Sequence, residues 1–503
     1  MAHRLTLSPV PGQRTSLIPA TGWKGETITQ RLFHRLGLVA ALAVTWFVLI
    51  LRVQPWPFSD YAVFLTVARR LSAGDRLYEE IWDNKDPFVY YSLALLQDLG
   101  QPALWTLEVL WFVLASASVF AIARFYTLAR NWAVFIGGVL TPIALIPFHY
   151  FPGTTHLPGT SLVLLSVALS LHRRYAWSGV VIGLLFFFKL SMLPLALIAI
   201  GVVLTSRRSA RPAVPIGIAA TGILVAAGLL LTLRGELLPY LRSLLHNFTY
   251  SQTNTGSGET GLAATMVERF TVLSDLHVLV TIVTIALVLL FSWKRSGRNE
   301  IWTLTAATFA TAVILTLAIG KFPHHAQVFG ASGALALVTF VLALGTFRSR
   351  AVISAGIALL VAIGLAGGPS LQGYRNALLN PQGTWSAMTT TDSATEDLLT
   401  SGPARSFAIL QGAGLPRSPG LEEWELVCRH IAQRPWESKD LLTESLECFP
   451  NAEVLLVPLE LGIPETPRPF NRFLLAVRDL LESDYRCSLG TQNLVCERVA
   501  QAS

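Results

Sequence analysis

The sequence predicts a mainly α-helical protein, a polytopic bundle of about eleven membrane spans followed by a small soluble α/β domain. Of its 503 residues, 52% are hydrophobic and 14% are charged, whereas a soluble protein carries roughly a quarter charged residues. Apolar runs long enough to cross a bilayer recur along most of the chain. The last quarter is instead polar, and it contains all four cysteines.

Eleven apolar runs are candidate spans. The stretch 176–205 has two interpretations, because proline interrupts a helix: two short helices around a break at Lys189–Pro194, or one kinked element. The predicted spans are 36–53, 104–123, 132–148, 157–171, 176–190, 193–205, 213–233, 276–293, 301–319, 326–346 and 351–367.

Arginine and lysine cluster in every second loop between these runs, which is the pattern of cytoplasmic loops. The net charge of +7 therefore indicates membrane topology, and we expect no nucleic-acid partner. A polar segment precedes the first run and no small-residue cleavage site follows it, so we expect 36–53 to be a retained span. We predict a multi-pass protein of the plasma (inner) membrane with a cytoplasmic N-terminus and a periplasmic or extracellular C-terminal domain.

This topology divides the chain into four parts: a cytoplasmic segment 1–35, a transmembrane domain 36–367, a linker 368–394 and an outer α/β domain 395–503. In the last part "SFAILQG" and "AEVLLVPLE" resemble buried strands, and "YRCSLGTQNLVCERV" resembles a hairpin. "GLEEWELVCRHIAQ" and "FNRFLLAVRDLLESD" have the apolar spacing of helices.

The four cysteines predict two disulfides if the domain lies in an oxidising compartment. Three pairings are possible. Proximity along the chain favours Cys428 with Cys448 and Cys487 with Cys496, and four free thiols are the alternative.

The longest loop between spans, 54–103, lies on the outer side in this topology. Its apolar spacing predicts a helix over Asp60–Ala73 that stops at Gly74, and a second amphipathic segment over Pro87–Leu99. Amphipathic helices that are too short to span a bilayer settle at its surface. We therefore expect both segments to lie along the membrane.

The outer loop also concentrates polar residues beside the membrane, where they are costly to desolvate. Asp60 is a candidate general base for a hydroxyl nucleophile; the alternative is a helix N-cap. In "DNKDPFVYY", Lys85 suits a phosphate oxygen. Asp83 and Asp86 are candidates for holding Lys85 or for binding a sugar or a metal, and a solvated salt-bridged turn is the alternative.

Three cations form a second outer cluster in the short loop "GKFPHHAQVFG": Lys321, His324 and His325. They predict an anion site; the alternative is interfacial anchors that reach the lipid headgroups. His156 is a further polar candidate on the same side. Aromatic rings suited to a sugar are present at Trp82, Tyr90, Tyr91 and Phe322.

The sequence contains no Walker, Rossmann or HExxH motif. Nucleotide use is therefore not expected. A divalent metal is possible, but no strong motif supports one, since adjacent histidines on one short loop rarely ligate one ion by themselves.

The order of these motifs resembles that of the polyprenyl-phosphate-dependent GT-C glycosyltransferases, which include protein O-mannosyltransferases and aminoarabinose transferases. The resemblance runs over most of residues 36–350. It starts from "DYAVFLTVARRLSAGDRLYEEIWDNKDPFVYYSLAL", continues through "WSGVVIGLLFFFKLSMLP" and ends at "KFPHHAQVF". Two departures are that the family's Lys-Pro-Pro is Lys-Asp-Pro here, and that Ala rather than Tyr follows His325.

The resemblance implies an inverting glycosyltransferase that moves a sugar from a polyprenyl-phosphate donor to a hydroxyl of a glycan, lipid or protein acceptor. Lys85, Lys321, His324 and His325 would then bind the donor phosphate, with Asp60 as the base. Three alternatives stay open: a transporter or flippase of lipid-linked saccharides, a non-catalytic membrane scaffold, and an enzyme that uses lipid-diphosphate donors.

Overall fold

The computed structural model describes about three fifths of the chain, in separate ranges. These are residues 60–97, 99, 101–126, 128, 130–145, 155–208, 210–252, 273, 276–296, 300–319, 327–344, 406–410, 425–429, 439–458, 469–489 and 493–499. The predicted segments 1–35, 36–53, 351–367 and 368–394 lie outside the described residues, as do Lys321, Phe322, His324 and His325.

Thirteen described helices precede the C-terminal domain. They are α1 (Asp60–Ala73), α2 (Pro87–Gln97), α3 (Gln101–Phe125), α4 (Arg130–Phe135), α5 (Thr141–Leu145), α6 (His156–Leu171), α7 (Tyr175–Lys189), α8 (Leu193–Ser206), α9 (Ala213–Leu233), α10 (Leu237–Gln252), α11 (Leu276–Ser296), α12 (Glu300–Ile319) and α13 (Phe329–Leu344). The nine predicted spans that fall on described residues are all helical there, and a π-helical segment, Ile136–Leu140, joins α4 to α5 within one of them.

Four described stretches are long and apolar enough to cross a membrane: Thr106–Phe125, Tyr175–Ser206, Ala213–Leu233 and Glu300–Ala318. Shorter apolar helices lie at Pro87–Leu96, His156–Leu171, Val278–Trp293 and Phe329–Ala343. This architecture is that of a multi-pass membrane protein.

The stretch 176–205 forms two helices rather than one kinked element. Helix α7 ends at Lys189, a 3₁₀ turn covers Leu190–Met192, and α8 then begins with a proline at its second position. At the far end, Arg207 donates a 2.8 Å hydrogen bond to the hydroxyl of Tyr175, the first residue of α7. The two helices therefore form an antiparallel hairpin, with the break at one end.

The hairpin distinguishes the two ends of the helical bundle. At the basic end, which we define by Arg124, His172 and Arg207, His172 contacts the Ala121 carbonyl oxygen at 3.1 Å and Arg207 lies over the Phe125 ring. At the other end, the break at Lys189 meets the outer loop 54–103. The basic loops after the second, fourth and sixth predicted spans thus share one end, as the topology predicts.

Glycines let α7 and α9 pack closely. A Cβ atom added at Gly179 would lie 2.2 Å from the Ile216 carbonyl oxygen, and one at Gly183 would lie 2.6 Å from the Ile223 Cβ. Small residues allow backbones to approach in this way where helices pack within membranes. Gly179 and Gly183 lie in the stretch "WSGVVIGLLFFFKLSMLP" that contributes to the resemblance, and helix packing explains their spacing.

In its described residues, the C-terminal domain is a five-stranded sheet with two α-helices. The strands are β1 (Ser406–Ile409), β2 (Glu425–Leu426), β3 (Val454–Pro458), β4 (Tyr485–Leu489) and β5 (Asn493–Arg498), and the helices are α14 (Lys439–Cys448) and α15 (Pro469–Asp484). The strand order is β2-β1-β3-β5-β4. Strands β2, β1 and β3 are parallel, and β5 pairs antiparallel with β3 and β4.

The prediction of a helix in "GLEEWELVCRHIAQ" is wrong for the part of this stretch that the structure describes. Glu425 and Leu426 form the edge strand β2, whose register with β1 pairs Ser406 with Glu425. Backbone pairing with a distant strand outweighs the local apolar spacing here, since β propensity depends on context. The two expected strands, the expected helix over α15 and the expected hairpin are confirmed.

Two disulfides secure this domain. Cys428 is bonded to Cys448, and Cys487 is bonded to Cys496. The second bond joins directly opposite residues of the β4–β5 hairpin. These are the pairs that proximity along the chain favours.

The close packing at Gly179 gives a stability prediction. We expect Gly179→Val to lower the melting temperature of the detergent-solubilised protein by several degrees, because overpacking costs about 1–3 kcal/mol and the clash here is with backbone. The matched control is Gly222→Val on α9, where an added Cβ meets no atom within 4 Å. Equal melting temperatures for the two variants would contradict this packing.

Candidate functional site

The first described element of the loop 54–103 is α1, whose first residue is Asp60. The structure describes the backbone there; the Asp60 side chain lies outside the described residues. The helix ends at Ala73, and Gly74 follows with φ +112°, a conformation that favours glycine. Two hydrogen bonds of 2.6 and 3.0 Å from Arg70 to Asp75 then fix the turn after the helix.

A buried carboxylate joins this turn to the start of α10. Glu236 is fully buried, and its Oε1 accepts hydrogen bonds of 3.0 Å from the Leu77 amide and from Arg234 Nε. Its Oε2 accepts a hydrogen bond from the hydroxyl of Tyr91 on α2. Burial and the hydrogen bond to Glu236 both raise the pKa of Tyr91, which keeps its phenol protonated as the donor.

The segment "DNKDP" is folded back on its own loop. The buried Asp83 accepts a hydrogen bond from the hydroxyl of Tyr90, and the Tyr78 hydroxyl donates a 2.6 Å bond to the Lys85 carbonyl oxygen. The Lys85 ammonium donates to Asn84 Oδ1 at 2.8 Å and lies 5.9 Å from the centroid of the Phe64 ring. Phe64 is one helical turn after Asp60, so Lys85 lies near the start of α1.

Asp86 connects this segment to the break between α7 and α8. Its Oδ2 accepts a 3.0 Å hydrogen bond from the Leu190 amide, and its Oδ1 accepts one of 3.2 Å from the Tyr240 hydroxyl. Burial raises the pKa of the Asp86 carboxyl, although the positive charge of Lys189, together with these hydrogen bonds, opposes the rise. Asp86 therefore fixes Lys85 relative to the bundle.

Helix α10 adds further contacts to the same segment. Asn247 donates a 2.8 Å hydrogen bond to the Asn84 carbonyl oxygen, and the His246 ring lies edge-on to Trp82 with 5.4 Å between centroids. Tyr240, His246 and Asn247 thus hold the Trp82–Asp86 segment against α10.

The C-terminal sheet covers the loop from another side. On β1, Phe407 and Ile409 pack into the loop's hydrophobic core, whereas Ala408 faces α14 and α15. The Trp82 amide donates a 2.8 Å hydrogen bond to the Arg429 carbonyl oxygen, just after β2. Alternating side chains thus bury both faces of the sheet, which explains its continuous apolar runs.

A polar cavity of about 270 Å³ lies where the loop meets this domain. Glu79 and Glu80 line it from the loop. Arg429, the Cys428–Cys448 disulfide and Glu444 line it from the domain, where Arg429 forms a salt bridge of 2.6 Å with Glu444. Arg429, whose carbonyl oxygen accepts the hydrogen bond from the Trp82 amide, thus also lines the cavity.

The structure brings six of the predicted site residues into this one loop: Trp82, Asp83, Lys85, Asp86, Tyr90 and Tyr91. Tyr90 is fully buried against Phe64, so its ring forms part of the loop's core. His156 is the first residue of α6, one turn before Gly159, which lies against Lys189. In the described part of the chain, no group of three or more His, Cys, Asp or Glu side chains is arranged to hold a metal ion.

Three solved structures share this architecture along most of both chains. ArnT from Cupriavidus metallidurans bound to undecaprenyl phosphate has a TM-score of 0.58 at 14% identity, covering 94% of this chain and 99% of that one. The same protein in the apo state has a TM-score of 0.53 at 15% identity, covering 93% of this chain and 98% of that one. The Archaeoglobus fulgidus oligosaccharyltransferase has a TM-score of 0.50 at 12% identity, covering 92% of this chain and 73% of that one. The chain has the GT-C fold.

The likeness is one of structure. No protein-family model and no curated protein sequence matches this chain. At identities of 12–15%, the TM-scores of 0.50–0.58 over most of both chains establish the fold.

Sequence reasoning missed three residues of this candidate site: Glu236, Tyr240 and Asn247. A carboxylate three residues after the apolar run of α9 is a signal for Glu236, since polar groups at span ends are costly unless partnered. Tyr240 and Asn247 carry no comparable signal, because their partners lie 154 and 163 residues away.

Glu236→Ala should destabilise the protein, because it leaves the buried Leu77 amide and the Tyr91 hydroxyl without their acceptor. We expect a loss of about 1–3 kcal/mol in the free energy of unfolding for each donor left unsatisfied, measured as a fall in melting temperature. Glu80→Ala is the control, since the exposed Arg76–Glu80 pair in the same turn should contribute less than about 1 kcal/mol. A loss at position 80 as large as at position 236 would refute the role of Glu236.

The raised pKa of Asp86 predicts that the stability of the protein depends on pH. Its folded-state pKa is raised above the ordinary 3.8, so its contribution to stability is complete below the unfolded pKa and is lost as pH rises through the folded pKa. We expect the melting temperature of the wild type, minus that of Asp86→Asn, to be more positive at pH 4.5 than at pH 8. Other titrations cancel in this difference, and a difference that grows with pH would contradict the assignment.

Proposed function

We propose that the chain is an inverting glycosyltransferase that moves a sugar from a polyprenyl-phosphate donor to a hydroxyl group of a glycan, lipid or protein. The observation that carries the proposal is the position of Lys85 in a GT-C fold. The lysine is held beside Phe64, one turn from Asp60, at the end of the bundle opposite the basic loops.

Asp60 acts as the general base in this reaction. It takes the proton from the acceptor hydroxyl as that oxygen attacks the anomeric carbon. The bond between the anomeric carbon and the phosphate oxygen breaks on the opposite face, so a single displacement inverts the configuration. The products are the glycosylated acceptor and a polyprenyl phosphate.

Cations stabilise the charge that develops on the departing phosphate. Lys85 supplies one positive charge, and we propose Lys321, His324 and His325 as the others. The similarity to ArnT, which was solved with undecaprenyl phosphate bound, supports a lipid phosphate as the leaving group. Its hydrocarbon chain would lie between the membrane helices.

Trp82 and Tyr91 are the aromatic side chains proposed to contact the sugars. Both are partly exposed on the loop, whereas Asp83 and Tyr90 are buried against each other and act by holding the loop. Asp86 positions Lys85. His156 remains a proposed contact for the donor or the acceptor.

We place the site on the periplasmic or extracellular side of the plasma membrane, because the basic loops favour the cytoplasm.

The direct test is to incubate the purified protein with a panel of polyprenyl-phosphate sugars and candidate acceptors and to measure released polyprenyl phosphate. Asp60→Asn should lower kcat at least about 100-fold, since general-base catalysis contributes about 10²–10⁴-fold. Glu80→Gln in the same loop is the control and should retain activity. Turnover by Asp60→Asn near that of the wild type would eliminate Asp60 as the base.

The donor's phosphate gives a second test. Lys85→Ala and Lys321→Ala should each raise the KM for the donor about 10- to 100-fold, because a hydrogen bond to a charged group contributes about 1.5–3 kcal/mol. Arg76→Gln changes an exposed cation of the same loop and should leave this KM unchanged. Transfer from lipid-diphosphate but not lipid-monophosphate sugars would instead favour the alternative class of enzyme.

A further inference from the structure

The two faces of α10 have different environments. Leu238, Leu241 and Leu245 are 58%, 45% and 70% exposed, and their spacing of three and four residues places them in one stripe. On the opposite side, Tyr240 and Ser243 are buried.

The helix that precedes α10 also ends in exposed leucines. Leu229, Leu230 and Leu233 at the end of this candidate span are 60%, 47% and 86% exposed. A short corner follows, in which Gly235 adopts φ +74°. Three residues separate the end of this candidate span from the start of α10.

We propose that α10 lies in the membrane surface, with its leucine stripe in the lipid of the leaflet at the site end, and that the bilayer thereby holds the Trp82–Asp86 segment in place. An amphipathic helix at the end of a span buries its apolar face at the boundary of headgroups and acyl chains. The occupant of this face is lipid, because the stripe follows the exposed leucines of a candidate membrane span after a corner of only three residues.

The buried face transmits this placement to the candidate site. Tyr240 bonds Asp86, Asn247 bonds the Asn84 carbonyl oxygen, and His246 packs on Trp82. A helix held on one side by lipid thus fixes the residues flanking Lys85 on its other side. This coupling to turnover rests on the proposed function, whereas the depth of the helix does not.

The chain's four cysteines are all in disulfides, so Leu245→Cys introduces a single free thiol for a nitroxide label. In lipid nanodiscs we expect this label to be relaxed by oxygen and shielded from a water-soluble nickel chelate. The control is Glu447→Cys on α14, an exposed position of the C-terminal domain, whose label should be open to the chelate. Equal access of the chelate to both labels overturns the proposal.

Turnover tests the coupling. Leu241→Asp combined with Leu245→Asp should lower kcat/KM for the lipid-phosphate donor about tenfold in nanodiscs, with the melting temperature unchanged. Leu475→Asp on α15, where the side chain is 37% exposed, is the control and should retain activity. A lipid-buried label at 245 with unimpaired turnover in the double variant refutes the coupling. A wild type that is inert toward every donor refutes the proposed function, and the label still decides where α10 lies.

Discussion

The buried carboxylate of Glu236 binds two residues that precede it in the chain by 145 and 159 positions. It accepts hydrogen bonds from the Leu77 amide in the first outer loop and from Tyr91 on α2, while its own position is set by the end of α9. A carboxylate with no exposed surface is stable only when charges and donors surround it, and Arg234 supplies the charge. The outer loop is consequently fixed to the end of a membrane helix.

This attachment explains why the candidate site forms on a loop rather than within the bundle. Loops often carry functional residues, but the residues need a rigid support to be positioned. Here α9 and α10 support the loop from one side, the α7–α8 break from a second, and the C-terminal sheet from a third through Trp82 and Arg429. The segment that carries Lys85 is thereby held against elements that are distant in sequence.

Much of the fold could be predicted from local sequence patterns. Apolar runs identified the described helices of the bundle, because such runs report the burial of a continuous segment. Apolar spacing identified α1 and α15, and the strand-and-turn pattern identified the β4–β5 hairpin. The strand β2 could not be predicted, since its conformation depends on pairing with β1. The candidate site was predicted in part: Lys85 and Asp86 stand in a charged cluster, whereas Tyr240 and Asn247 are recognisable only through contacts that no local pattern encodes.

Asp86 shows how a departure from the resembled pattern can serve the same end. In Lys-Pro-Pro the residue after the lysine is a proline, which restricts the backbone but offers no side-chain acceptor. In this chain the position is Asp86, which accepts hydrogen bonds from Leu190 and Tyr240. The lysine is then fixed by hydrogen bonds to two other segments rather than by local stiffness alone. Because those bonds end at the α7–α8 break and on α10, a movement of either element would shift Lys85 with it.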